Sequence, residues 1–251
     1  TDDLPQLFWF DDAGRAEAAV IATDWGDRIA LDPIVMPGSP GEWAGYVMER
    51  GLAHAAASGF GTIGLEVDRD DAVLRELLSG QGFEVQGDGM AEAWMAADVR
   101  PDVSPLCRGY RLATRLDTVD RPHHMVGRAG PDVAERLEQT SLYRRDLDLV
   151  VLDGDDRCAA YGLFWFDPAT ATGLVEPMRT EDDHQRRGLA RHVLTAGVAR
   201  LAEVGATRIK ICFEPGNPAS RTLYLSVGFE PVKQTVVLAR RADTNLPSPG
   251  S

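Results

Sequence analysis

Apolar residues recur along this chain in patterns that predict the same series of elements twice. In the second half, one side of a 3.6-residue period carries the residues of an amphipathic helix: Val193, Leu194, Gly197, Leu201 and Val204. A strand over Ile209–Phe213 follows it. In the first half, the matching helix covers Trp43–Ser58 and the strand covers Thr62–Val67. Each strand precedes a polar break, a short helix and a Gly-Phe pair, so both halves are predicted to share one fold.

A shift of 146 residues aligns the two halves without a gap. Across positions 44–84 it gives twelve identities, among them Gly51 with Gly197, and Gly82-Phe83-Glu84 falls on Gly228-Phe229-Glu230. The other pairs are Ala44 with Ala190, Val47 with Val193, Ala53 with Ala199, Ala56 with Ala202, Gly59 with Gly205, Ile63 with Ile209, Arg75 with Arg221 and Leu77 with Leu223. An internal repeat of this length indicates two tandem domains.

The joint between the copies is the proline-containing segment Arg100–Pro105, which favours an extended linker. We therefore expect a first domain over 1–100, a linker over 101–109, a second domain over 110–240 and a flexible tail over 241–251.

The second copy is predicted to contain more elements than the first. The pattern gives a strand over 110–115, a helix over 131–143 and three successive strands over 147–152, 158–166 and 173–180. The first copy begins at a strand near 6–10. Either this copy is abbreviated, or residues precede it.

Composition and charge narrow the class of protein. The 251 residues are 44% hydrophobic and 26% charged, which is typical of globular domains, and no apolar run of about 18 residues occurs. All of the net charge of −13 lies in residues 1–100, which disfavours nucleic acid and anionic membranes as partners. We expect a cytoplasmic protein. Cys107, Cys158 and Cys212 lack the spacing of a zinc site and are expected to be buried free thiols.

The strongest chemical signal is Gln185-Arg186-Arg187-Gly188-Leu189-Ala190, which opens the long helix after the strand over 173–180. A helix that begins at a glycine presents unpaired backbone N–H groups and the positive end of its dipole, a combination that binds phosphate. About 30 residues later, Asn217 caps a helix that carries Tyr224 and ends at Gly228-Phe229.

In this order and spacing, residues 110–238 resemble the GNAT superfamily of N-acetyltransferases. The resemblance implies an α/β (α+β) fold: two tandem domains, each with a mixed, mainly antiparallel sheet flanked by helices, splayed after strand 4 in the C-terminal copy. It implies acetyl-CoA as co-substrate, lying in the splayed gap. The implied cofactor-binding residues are Met178, Arg179, Thr180, Gln185, Arg186, Arg187, Gly188, Leu189, Ala190, Arg191, Asn217 and Ser220.

The resemblance also implies a general acid, and the strand that leads to the CoA site offers a candidate base. Tyr224 matches the general acid that protonates the leaving thiolate, although a tyrosine on a helix also serves as a core aromatic. Glu176 is predicted as the base, with a substrate-holding or solvent-facing carboxylate as alternatives, and strand alternation places it on one face with Leu174, Met178 and Thr180. His184 and His192 are other candidate bases.

His123 and His124 lie where such proteins build the acceptor pocket. We expect them to contact substrate and expect no metal, because no third ligand is spaced for one.

The first copy lacks the chemical residues. The 146-residue shift sets Leu78 under Tyr224, Asp71 under Asn217, Glu42 under Gly188 and Ser39 under Gln185. We therefore expect a degenerate GNAT-like domain that shapes the acceptor cleft or mediates assembly of a monomer or homodimer.

The sequence thus predicts an acetyl-CoA-dependent N-acetyltransferase that acts by direct attack of a primary amine from a small molecule or peptide. The tandem arrangement is also similar to that of mycothiol synthase. A CoA-binding sensor without turnover is the alternative outside the enzymes. A nucleotide-binding Rossmann unit is disfavoured, since no Gly-x-Gly-x-x-Gly follows a strand.

Overall fold

The computed structural model describes residue 4 and residues 6–26, 28–57, 59 and 61–241. The predicted tail therefore lies outside the described residues except for Arg241, and so does Ser58 at the predicted end of the first long helix. No helix in the described ranges is both long enough and apolar enough to cross a membrane.

The described residues form eleven strands and six α-helices. In chain order they are β1 (Leu7–Phe10), β2 (Ala16–Asp24), β3 (Ile29–Val35), α1 (Gly41–Ala57), β4 (Thr62–Asp68), α2 (Ala72–Gly80), β5 (Glu84–Ala96), β6 (Arg111–Thr114), α3 (Val126–Ala129), α4 (Val133–Glu138), β7 (Asp148–Leu152), β8 (Cys158–Asp167), β9 (Thr172–Thr180), α5 (Leu189–Glu203), β10 (Arg208–Phe213), α6 (Pro218–Val227) and β11 (Glu230–Arg241).

The described residues form two compact units, one from those within 1–89 together with 234–241, and one from residues 90–233. This division differs from the predicted domains over 1–100 and 110–240, because each of two long strands passes from one unit to the other. β5 crosses at Gly89–Met90 and β11 crosses at Lys233–Gln234. A boundary inside a strand leaves no break in the apolar pattern, so only the prolines after it suggested a linker.

The first unit is a sheet in which β1, β2 and β3 pair antiparallel in sequence order. β3 then pairs parallel with β4, and β4 pairs antiparallel with the end of β11. The fully buried residues of its core come from these strands and from the two helices: Val20, Ile29, Val47, Ala55, Ile63 and Leu78.

The second unit has the same plan with one additional strand, β6, which pairs with β7. The pairings β7 with β8 and β8 with β9 are antiparallel, β9 with β10 is parallel, and β10 with the end of β5 is antiparallel. α5 packs on β8, and a side chain at Gly197 of this helix would overlap the ring of Phe164. That close approach explains a glycine in the middle of a helix.

The N-caps of the short helices α2 and α6 confirm the repeat. Asp71 caps α2 by accepting from the backbone N–H of Leu74, and Asn217 caps α6 by accepting from Ser220. The two caps are 146 residues apart, the shift that aligns the sequences. The predicted fold class, two tandem units of mixed, mainly antiparallel sheet flanked by helices, is confirmed.

One predicted helix is shorter than expected. The pattern indicates a helix over 131–143, whereas α4 covers only Val133–Glu138. The Thr140 hydroxyl donates to the carbonyl of Leu137 at 2.7 Å and so competes with the backbone for that acceptor. The next residues turn towards β7, and there the Tyr143 hydroxyl donates to Asp148 at 2.7 Å.

Candidate active site

The strands β9 and β10 part halfway along their length. Their parallel pairing runs from Thr172 with Arg208 to Val175 with Ile211, and no further, although β9 continues to Thr180 and β10 to Phe213. The fourth strand of the C-terminal copy, counted from β6, is therefore splayed from its neighbour as expected. The gap exposes the edge of β9 beyond Val175.

A bulge in β9 lies at the point of divergence. Phe164 of β8 pairs with Val175 and Gly162 pairs with Met178, so one residue of β8 faces Glu176 and Pro177 together. An extra residue in one strand shifts the alternation of side chains beyond it. Beyond the bulge, each side chain of β9 therefore points to the face opposite to the one that uninterrupted alternation would give it.

The expectation that Glu176 shares a face with Met178 and Thr180 was wrong for this reason. Leu174 pairs with Trp165, whereas Met178 pairs with Gly162, and these two β8 residues point to opposite faces. Leu174 and Glu176 line one cavity, and Met178 and Thr180 line another. The predicted base thus lies on the face opposite the side chains of Met178 and Thr180.

A first cavity in this unit has a volume of about 380 Å³ and lies between the end of β9 and the starts of α5 and α6. It brings together ten of the twelve residues predicted to bind cofactor, together with Tyr224. Its lining is Met178, Arg179, Thr180, Gln185, Arg186, Gly188, Leu189, Ala190, Arg191, Ala219, Ser220, Leu223 and Tyr224. Ala219 and Leu223 were not predicted to line the cavity. Their spacing of one helical turn, on the face that Ser220 and Tyr224 share, could have indicated them.

The N-terminus of α5 forms the end wall of this first cavity. Gly188 precedes the helix with a left-handed φ of 76° and provides no side-chain cap. The first backbone N–H bonded within the helix is that of His192, to the carbonyl of Gly188 at 3.1 Å. The N–H groups before it lie at the positive end of the dipole, where an anion is stabilised.

Polar groups in the first cavity fit a ligand that carries both amides and phosphates. The Thr180 hydroxyl oxygen is buried and has no hydrogen-bond partner among the described residues. The side chains of Arg186 and Arg191 add positive charge to the lining, whereas that of Arg179 is paired with Glu181 and Asp182. Arg191 is held by the Ser226 hydroxyl at 2.8 Å, and Arg179 pairs with Glu181 at 3.3 Å. The residues present therefore suit the pantetheine and diphosphate of coenzyme A.

Two residues predicted to bind the cofactor do not line the cavity. The Arg187 guanidinium donates to the Tyr110 hydroxyl at 2.8 Å and to the Asp183 carbonyl at 3.1 Å. The Asn217 side chain accepts from the Ser220 N–H at 3.2 Å as the cap of α6. Both side chains thus have structural partners, and a cofactor contact by either remains a prediction.

Tyr224 lies on α6 with 9% of its surface exposed and packs against Phe213 and Phe229. Burial raises the pKa of its phenol, and the negative charge of Glu176 raises it further. No hydrogen bond engages its hydroxyl within the described part of the chain. The phenol therefore stays protonated at neutral pH, which is the form a general acid requires.

The second cavity, about 320 Å³ in volume, lies on the other face of β9. It is lined by Leu142, Trp165, Asp167, Thr170, Thr172, Leu174, Glu176, Lys210 and Cys212. The Lys210 ammonium is paired with Glu92 at 2.7 Å, so Asp167 and the exposed Glu176 leave this cavity negative.

His184 and His192, the two other candidate bases, have structural partners. The His184 ring bonds the Tyr110 hydroxyl at 3.0 Å, and the His192 ring bonds the Ser104 carbonyl at 2.6 Å. Neither lines a described cavity of this unit. Of the cysteines, all free, Cys107 is exposed and the other two are half-buried, so the expectation of three buried thiols was wrong.

His123 and His124 meet a third candidate ligand that the spacing argument missed, the buried Asp148 at the start of β7. The sequence indicated this third ligand only by an acidic residue at the first position of the apolar strand β7. However, the backbone N–H of Met125 donates to His123 Nδ1 at 3.2 Å, while His123 Nε2 lies 2.8 Å from Asp148. This fixes the proton on Nε2, which then donates to the carboxylate and has no lone pair for a metal. The group is therefore better suited to hydrogen bonding than to holding an ion.

Comparison with known proteins agrees with this geometry. Residues 113–229 match the model of the Acetyltransferase (GNAT) family. The matched segment is the one that carries the predicted GNAT motifs, from the glycine loop at Gly188 to Phe229. No curated protein sequence matches the chain.

Solved structures with the same fold extend the likeness to nearly the whole chain. A tandem GNAT protein from the clavulanic acid biosynthesis pathway has a TM-score of 0.74 at 15% identity, covering 96% of this chain and 84% of its own. A GCN5-related N-acetyltransferase from Sphaerobacter thermophilus has 0.64 at 13%, covering 97% and 82%. One from Kribbella flavida has 0.56 at 16%, covering 93% and 87%. At such identities these structures establish the fold alone.

Proposed function

We propose that this protein is an acetyl-CoA-dependent N-acetyltransferase that transfers the acetyl group directly to a primary amine. The observation that carries the proposal is the first cavity, which joins the splayed edge of β9, the uncapped start of α5 and the phenol of Tyr224. The thioester lies in the gap between β9 and β10, with the diphosphate at the N–H groups that follow Gly188 and the pantetheine along Met178 and Thr180.

The acceptor amine enters from the opposite face of β9, through the second cavity, which we call the acceptor cleft. Glu176 takes the proton from the ammonium, directly or through one water, because a carboxylate in a cleft can accept from a bound cation. The free amine attacks the thioester carbonyl, and the backbone N–H of Met178 stabilises the oxyanion. The C–S bond then breaks, and Tyr224 donates its proton to the departing thiolate of coenzyme A. The attacking nitrogen loses its remaining extra proton to solvent, from which Tyr224 is reprotonated. No covalent enzyme intermediate takes part.

The charges of the acceptor cleft favour a cationic acceptor. Glu176 and Asp167 are its uncompensated charges, and the indole of Trp165 offers a flat apolar wall beside them. A primary amine on a small molecule or peptide fits this combination, and a polyamine or a lysine side chain carries the matching charge. Salt screens the attraction between opposite charges. High salt will therefore raise the Michaelis constant of such an acceptor.

The experiment that tests the proposed function is release of the free thiol of coenzyme A when acetyl-CoA meets a panel of primary amines. We expect release with at least one cationic amine, and tight binding of acetyl-CoA by calorimetry. Binding without release from any amine would indicate a CoA sensor. Absence of binding would overturn the assignment of the first cavity.

A further inference from the structure

The bulge in β9 is held by a side chain from the neighbouring strand. The indole Nε1 of Trp165 donates to the backbone carbonyl of Glu176 at 2.6 Å. A bulge leaves the ladder between two antiparallel strands locally incomplete, and backbone groups in it need other partners. Trp165 supplies such a partner at Glu176, where the bulge interrupts the alternation of side chains in β9.

Trp165 is in turn packed against a buried polar cluster. The ring of Tyr143 lies 6.2 Å from the indole ring, and its hydroxyl donates to Asp148 Oδ2 at 2.7 Å. The same oxygen accepts from His123 Nε2 at 2.8 Å, and the side chains of His123 and Asp148 are 0% and 1% exposed. The second ring of the pair, His124, lies 3.1 Å from Asp148 Oδ1.

A buried carboxylate with two donors holds each of them in one geometry. Replacing either donor removes one of the hydrogen bonds that stabilise this buried charge, which is costly in the low dielectric of a protein interior. The hydrogen bond to Asp148 thus holds the Tyr143 side chain, whose ring lies beside the indole of Trp165. The contacts connect the buried cluster to the carbonyl of Glu176 through Tyr143 and Trp165.

We propose that Trp165, supported by Tyr143 and Asp148, is a positioning residue that fixes the bulge at Glu176–Pro177. The consequence rests on the proposed function. With the bulge in place, the Glu176 carboxylate lies in the acceptor cleft while Met178 lies at the first cavity. Loss of the bulge would reverse the parity of the strand on one side of it. Base and oxyanion donor would then no longer face the two reactants.

The test compares Trp165→Phe and Tyr143→Phe with the unchanged protein. Each variant keeps an aromatic ring and removes one hydrogen bond. We expect kcat to fall about tenfold in Trp165→Phe and less in Tyr143→Phe, since small displacements of reacting groups cost rate steeply. The Kd of acetyl-CoA by calorimetry should stay within about twofold, because the N-terminus of α5 is unchanged. Trp43→Phe, an indole loss in the first unit, is the matched control.

A second readout does not depend on turnover. Hydrogen exchange of the peptide over 174–180 should become about tenfold faster in Trp165→Phe and unchanged in Trp43→Phe. Unchanged kcat with unchanged exchange, or a fall in acetyl-CoA affinity as large as the fall in kcat, would overturn the positioning role. If the unchanged protein acetylates no amine, the proposed function fails, while the exchange comparison still decides whether Trp165 holds the bulge.

Discussion

The carboxylate of Glu176 raises the pKa of the Tyr224 phenol, although Glu176 belongs to β9 and Tyr224 to the helix that follows β10. Burial of the phenol is the larger cause of the shift, and the charge of Glu176 adds to it. The two residues therefore interact electrostatically across the point where the strands diverge. In the proposed reaction, one removes a proton from the amine while the other retains a proton for the thiolate.

Replacing Tyr224 with phenylalanine removes the proposed acid without removing the ring. We expect kcat to fall by at least about tenfold, while acetyl-CoA still binds, because the ring keeps its contacts with Phe213 and Phe229. Steady-state kinetics and calorimetry together check this. Turnover equal to that of the unchanged protein would remove Tyr224 from the acid role.

The variant Glu176→Gln should show a loss that depends on pH. At pH 7 the acceptor is an ammonium that needs a base, and we expect kcat/KM to be lower by about 10- to 100-fold. Near pH 10 a primary amine loses its proton to solvent, so the difference should shrink. The measurement is a pH profile of kcat/KM for both proteins. A constant ratio at every pH would contradict a base and favour a carboxylate that only holds the substrate.

Gly188 is tested against a second glycine with similar geometry. Gly188 and Gly130 have φ angles of 76° and 88°, and in both cases a Cβ atom would meet open space. Substitution by alanine should therefore cost each protein about 1 kcal/mol in the free energy of unfolding, from backbone strain alone. We expect only Gly188→Ala to weaken acetyl-CoA binding, by about five- to tenfold, because the N–H groups after it are displaced. Equal Kd values for the two variants would show that the turn at Gly188 does not hold the diphosphate.

The buried carboxyl of Asp148 is expected to make the free energy of unfolding fall at acidic pH. Burial alone would raise the pKa of this carboxyl, but the hydrogen bond from His123 and the adjacent His124 outweigh burial and hold the pKa well below its ordinary value. An unfolded aspartate has a pKa near 3.9, so the stabilisation is complete above about pH 4 and is lost as pH falls further. Asp148→Asn should lower the free energy of unfolding at pH 7 by about 3 kcal/mol and flatten its decline below pH 4.

The control for this prediction is Asp146→Asn. The Asp146 carboxylate is 38% exposed and pairs with Arg144 at 2.7 Å. We expect a change of less than about 1 kcal/mol, as for most exposed ion pairs. Denaturant titrations from pH 3 to pH 7 measure both variants. Equal effects of the two substitutions would contradict the central place of Asp148 in the buried cluster.

The sequence predicts much of this fold because its strongest patterns are local. The face of α5 that contains Val193 and Leu201 is buried as its period indicates, and β7, β8 and β9 lie within a residue of their predicted bounds. The glycine loop, Tyr224 and the strand before them also come together in one cavity. These features depend on neighbours in the chain or on motifs with fixed spacing.

The missing features depend on contacts that are distant in sequence. Asp148 meets His123 across 25 residues, and nothing in the spacing predicts their contact. The bulge at Glu176–Pro177 depends on the register against β8, so simple alternation put Glu176 on the wrong face. The passage of β5 and β11 between the units likewise depends on which strands pair, and the apolar pattern alone does not determine pairing.

The most direct test of the account is a crystal structure of the protein with acetyl-CoA bound. We predict that the diphosphate oxygens accept hydrogen bonds from the backbone N–H groups that follow Gly188, with the thioester between β9 and β10 and its sulfur near the Tyr224 hydroxyl. Acetyl-CoA bound elsewhere, or a turn at Gly188 that stays without ligand at saturating acetyl-CoA, would contradict it.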